Sequence, residues 1–148
     1  METNLIAAKP EMNTQARNGY LLLFRGTGWD QQLSPEEIQE IMARWAAWFG
    51  RLSEQGKLKS GLPLHHEGKI ISGKNGRSVA DGPFAESKEA IGGFFLLQVD
   101  DLDEAVRIAK ECPGLGYGLS VEVRPVADSC SLQRAREARE QRLAQAMV

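Results

Sequence analysis

The chain has 148 residues, 42% of them hydrophobic and 26% charged, with a formal net charge of −2. That length suits one domain with a core of its own. The near-neutral balance argues against direct nucleic-acid binding or attachment to an anionic membrane surface, and no apolar run approaches the ~20 residues of a membrane span.

Residues 1–18 are polar and aperiodic and read as a flexible N-terminal tail. Glu2 comes early and no continuous apolar segment follows, which is not the form of a secretory signal, so the expected compartment is the cytoplasm. Tyr20 to Gly26, YLLLFRG, is a short apolar run between glycines and predicts a strand. Ser34-Pro35-Glu36-Glu37 has the form of a capping box with proline at the first helical position. Ile38, Ile41, Met42, Trp45, Trp48, Phe49 and Leu52 then fall on one face of an amphipathic helix, with Gly56 as its stop. Two tryptophans and a phenylalanine on that stripe are read mainly as core, because each aromatic ring buries a large area.

Leu58 to Leu64, LKSGLPL, predicts a second strand weakened by Gly61 and Pro63. Asn75-Gly76 between two short apolar segments predicts a hairpin closed by a two-residue type I′ turn. Gly92 to Val99, GGFFLLQV, is apolar on both faces of the pleat, as a central strand must be. Asp101 caps a second helix with Leu102, Ala105, Val106 and Ala109 on one face, ended by Pro113 and three nearby glycines. Leu119, Val121 and Val123 alternate with Ser120, Glu122 and Arg124 in a half-exposed last strand that stops at Pro125. Residues 128–148 read as a C-terminal helix: Ser129 to Val148 favour helix, carry four arginines against two glutamates, and have only a weak apolar stripe. It reads as a solvated extra helix or as one that packs across a partner.

The order β, α, β, hairpin, β, α, β predicts an α+β fold of the ferredoxin-like split β-α-β type with an inserted hairpin, both helices on one face of an antiparallel sheet. Residues 19–127 form the domain. The second sheet face is left bare, to be covered by another copy or to line a pocket.

Several residues carry candidate chemistry. Asp81-Gly82-Pro83 is strong turn chemistry, and it also holds a carboxylate on a stiff loop, where it can act as a base or a ligand anchor. Glu86, beside Lys88 and Glu89, is either part of a solvated turn or a second carboxylate near Asp81 whose repulsion would separate their pKa values. Gly92 and Gly93 allow close approach of a ligand to the backbone, or form a bulge. His65 and His66 are the only histidines. On a strand they would point to opposite faces, so one of them at most could pair with Asp81 to make a proton-transfer dyad. Arg124 either pairs with Glu122 on the sheet or anchors an anionic ligand. Cys112 and Cys130 read as free thiols, and Cys112 at a helix C-terminus is poorly placed as a nucleophile. No CxxC or HExxH spacing occurs, so neither a metal nor a cofactor is expected.

Asp81-Gly82-Pro83-Phe84-Ala85-Glu86, Lys88-Glu89, Ile91-Gly92-Gly93-Phe94, Asp101-Leu102-Asp103-Glu104-Ala105, Tyr117-Gly118 and Val121-Glu122-Val123-Arg124-Pro125-Val126 occur in that order. Ser72-Gly73-Lys74-Asn75-Gly76 precedes them. Over about residues 19–127 the chain resembles the YCII-related family, in particular its DGPF-type branch. The resemblance implies a ferredoxin-like fold that forms a homodimeric α/β barrel. Some relatives are lyase-like or dehydrohalogenating enzymes, and the related YciI-like branch is thought to use a His–Asp pair with the histidine on the first helix. Here that helix has Arg44, Trp45 and Trp48 near the expected place and no histidine, so that dyad does not carry over. Some DGPF-type members are linked to sigma-factor-like transcription proteins.

Two readings of function follow. One is a cytoplasmic homodimer with a small-molecule cleft, acting as a lyase-like or hydrolytic enzyme through Asp81 with His65 or His66. The other is a binding or regulatory module that uses the same pocket without turnover. A dimerisation module acting through the C-terminal helix is a third.

Overall fold

The computed structural model describes residues 16–26, 28–82 and 90–147. Four strands form one antiparallel sheet in the order β2-β5-β1-β6: β1 (Tyr20–Arg25), β2 (Leu58–Pro63), β5 (Ile91–Leu97) and β6 (Ser120–Pro125). Two further strands, β3 (Gly68–Ser72) and β4 (Ser78–Gly82), form a separate two-stranded sheet among the described residues. Helix α1 (Pro35–Glu54) follows β1, α2 (Leu102–Ala109) follows β5, and α3 (Ser131–Ala146) follows β6. The architecture is α+β.

Each helix starts where local chemistry says it should. The Glu37 N–H donates to Ser34 Oγ at 3.1 Å, and the Ser34 N–H donates to Glu37 Oε1 at 2.9 Å, which closes the capping box of α1. At α2 the Glu104 N–H donates to Asp101 Oδ1 at 2.9 Å. At α3 the Gln133 N–H reaches Cys130 Sγ at 3.4 Å.

Register decides which residues share a face. Tyr20, Leu22 and Phe24 pair with Leu97, Phe95 and Gly93 on one side, and with Pro125, Val123 and Val121 on the other. This face meets α1 and α2, and Tyr20, Leu22, Phe95 and Leu97 are buried there with Trp48, Leu52, Ala105 and Ile108. Each large side chain so buried contributes roughly 1.5–3 kcal/mol relative to exposure. The opposite face carries Leu21, Leu23, Phe94 and Leu96, all only half-buried, together with Glu122 and Arg124.

The hairpin turn differs from expectation. Ser72 and Ser78 are the last paired residues, so the connection spans residues 73–77 and contains a single 3₁₀ turn at Lys74–Gly76. Gly73, Asn75 and Gly76 all have positive φ (84°, 60° and 68°), one more left-handed residue than a two-residue I′ turn uses. Asp81 and Gly82 also lie within β4, and the turn expected of Asp-Gly-Pro falls on Pro83, outside the described residues.

The aromatic stripe of α1 is likewise divided. Trp48 and Leu52 are core, but Met42 is 65% exposed and Phe49 40% exposed. Phe49 nevertheless meets Phe95 of β5, ring centroids 5.6 Å apart, so it lies over the sheet and borders open space at once.

Candidate functional site

Beside Trp45 and Phe49 of α1 lies a cavity. It has a volume of about 400 Å³ and lies between α1, the helix-covered face of the sheet and the loop joining β1 to α1. Phe24 and Phe95 come from the sheet, Trp45 and Phe49 from α1, and Trp29 and Asp30 from the loop. Gly61, Leu62, Pro63, Gly92 and Gly93 contribute from strands β2 and β5, and His66 closes one side. The size falls within the range of small-molecule sites.

The rings hold one another at steep angles. Phe24 meets Trp45 at 70° and Phe95 at 89°, with centroids 5.3 and 5.0 Å apart, and Phe49 meets Phe95 at 72° and 5.6 Å. Trp29 lies near-parallel to Trp45, centroids 6.4 Å apart, and also meets Tyr117 at 6.4 Å. Asp30 and His66 are the ionisable residues of the lining, and among the described residues no lysine or arginine takes part in it.

The expected site residues are distributed unevenly around this cavity. His66, Gly92 and Gly93 line it. Gly92 is the extra residue of a β-bulge, since Phe24 pairs with Gly93 but Arg25 pairs with Ile91. A Cβ at Gly92 would meet nothing within 4 Å, whereas one at Gly93 would lie 2.9 Å from the Leu62 carbonyl oxygen. Gly93 thus serves the close approach of β2, and Gly92 leaves open space.

His65 and His66 lie in the exposed loop between β2 and β3, not on a strand. The alternation argument therefore does not apply to them. Both border a shallow depression with Glu67, Gly68, Lys69 and Gly82, and His66 alone also reaches the aromatic cavity.

Asp81 lines neither hollow. It stands on β4 opposite Lys69, whose ammonium donates to its Oδ1 at 2.5 Å. Both side chains are exposed. Among the described residues no hydrogen bond joins Asp81 to His65 or His66. Glu86 lies outside the described residues.

Arg124 is on the sheet face away from the helices. Its Nε is 2.7 Å from Glu122 Oε2, while Arg25 Nε donates to Glu122 Oε1 at 2.6 Å. The Arg25 hydrogen bond, more than the charge of either arginine, holds the Glu122 carboxyl below the usual carboxylate value. Cys112 is buried, and desolvation pushes its thiol up to about 11, which removes it as a nucleophile. Among the described residues no group of three or more His, Cys, Asp or Glu could hold a metal ion.

Comparison with known proteins bears on the whole of this region. Residues 20–128 match the YCII-related domain, which is most of the chain. The chain belongs to the YCII-related family. An uncharacterized protein from Rhizobium meliloti (strain 1021) is similar to it at 35% identity over 108 residues. The likeness covers 64% of this chain and 79% of that relative. Every residue of the cavity lies within the YCII-related span.

Trp29 and Asp30 escaped the sequence reading. The available signal was a lone Trp-Asp between Gly28 and the capping box, in a loop where nothing else required a large aromatic residue.

Proposed function

We propose that this YCII-related protein, read as a member of the DGPF-type branch, binds a small organic molecule in the cavity between α1 and the sheet. The observation that carries the reading is the aromatic lining, which leaves about 400 Å³ open beside two ionisable residues among those described. A pocket of mostly apolar wall with a few polar groups is the usual form of such sites. The strand order β2-β5-β1-β6 supports a ferredoxin-like fold. A homodimer in the manner of an α/β barrel is favoured by the bare sheet face with Leu21, Leu23, Phe94 and Leu96. The hairpin, whose Ile70, Ile71 and Val79 are exposed, favours it further, because a two-stranded hairpin alone is marginal in water.

A ligand-observed NMR screen of small fragments against the intact protein and its Trp29→Ala variant tests the binding reading. Hits that vanish in the variant are expected. A screen with no hits above a control protein overturns it.

A second reading is favoured by one observation, that His66 and Asp30 line the same cavity. An imidazole and a carboxylate at one ligand suit proton abstraction in a lyase-like or hydrolytic reaction. Incubating the fragment hits in D₂O decides it. Exchange of a ligand C–H that disappears in His66→Ala supports an enzyme, and no exchange with any hit leaves a binding module.

A further inference from the structure

We propose that the cavity selects a cation, specifically a quaternary ammonium head group. The proposal rests on the reading that this cavity binds a small molecule, and adds the chemical class.

The walls supply the first argument. Phe24, Trp29, Trp45, Phe49 and Phe95 line one space, crossed at angles from 23° to 89° among their neighbouring pairs, so they do not form a single flat stack. Aromatic faces are electron-rich, and tryptophan attracts a cation most strongly. A quaternary ammonium is the cation best suited to such walls, because it has no N–H groups that would need acceptors the rings cannot provide.

Charge supplies the second. Asp30 is the acidic residue of the lining, and its carboxylate has no ion pair or hydrogen-bond donor among the described residues. No lysine or arginine of the described residues lines the cavity. An anionic ligand would thus meet Asp30 with no lysine or arginine to balance it, His66 being the one other titratable residue of the described lining. A neutral ligand would fill the space and leave Asp30 unused. A cation satisfies both.

The test uses the full chain and three probes: choline, its neutral isostere 3,3-dimethylbutan-1-ol, and benzoate. Binding is read by calorimetry and by tryptophan fluorescence, to which Trp29 and Trp45 report. Choline is expected to bind about tenfold more tightly than the isostere, with benzoate weakest. Asp30→Asn is expected to remove most of that preference without changing affinity for the isostere. If the isostere or benzoate binds as well as choline, the cavity is used but not for cations, and this proposal fails while the binding reading stands. If no probe binds and the fragment screen is also empty, both fail.

Discussion

Asp81 and Lys69 face each other across the β3–β4 hairpin, carboxylate oxygen 2.5 Å from the ammonium nitrogen. Exposed pairs of this kind contribute little to stability. Asp81→Asn is therefore expected to shift unfolding free energy by no more than about 0.5 kcal/mol and to leave ligand affinity of the aromatic cavity unchanged. Denaturant titration and a binding isotherm on the same sample check both. A variant that folds normally but loses ligand would return Asp81 to the site.

Leu23 stands mid-strand on the bare face of the sheet, paired with Phe94 and Glu122. If that face is closed by a second copy, Leu23→Glu places a carboxylate in the interface beside Glu122, where like charges repel. The variant is expected to sediment at half the mass of the wild-type protein with an unchanged far-ultraviolet spectrum. Equal masses for the two would remove the dimer from this face.

The Lys57–Glu104 pair ties the segment after α1 to the start of α2, ammonium to carboxylate at 3.0 Å. The hydrogen bond from Lys57, then that from the Asp100 N–H, holds the Glu104 carboxyl below its ordinary 4.5. A depressed carboxyl stabilises the fold above its unfolded value, and that contribution is lost as pH falls through the folded value. Stability should thus decline on acidification below about pH 5. Glu104→Gln should flatten part of that decline and lower stability at neutral pH. Urea melts from pH 7 downward measure the difference, and superimposable slopes would refute the assignment.

Cys112 is 4% exposed and its thiol is pushed up to about 11, whereas Cys130 is exposed at the start of α3. Iodoacetamide at about pH 8 should add one label to the folded protein, at Cys130, and two after denaturation. Peptide mass mapping reads the site, and rapid labelling of Cys112 would mean that the region after α2 opens readily.

Helix α3 buries no side chain and its polar residues surround it. A chain ending before Ser131 should keep the unfolding midpoint of the full protein if the helix is merely solvated. A fall of several degrees that depends on protein concentration would show instead that α3 packs across a partner.

The elements with local causes were legible in the residues. Ser34 and Glu37 mark the start of α1, Asp101 that of α2, and the unbroken apolar run near Phe94 and Phe95 marks a central strand. Each is set by neighbours a few residues away. The hairpin was legible as a hairpin, but its loop was not, because Gly73 supplies a left-handed residue that the Asn75-Gly76 pair alone does not announce.

The site was harder, and the reason is the same in each case. Asp81 and the histidines seemed able to meet, yet cross-strand register gives Asp81 to Lys69. His66 reaches the cavity because its segment is a loop, free of the alternation that a strand would impose.

Periodicity along α1 identified the stripe that holds Ile41, Trp48 and Leu52, the buried residues of the helix, since helical spacing is a property of one segment, but it also included the exposed Met42. It could not tell which of them would find a partner there. Trp48 meets Phe95 and is buried, while Phe49 meets the same ring and Trp45 meets Phe24, yet both also border the cavity. Whether an inward residue becomes core or lining depends on the placement of elements far apart in the chain, which no single stretch of residues encodes.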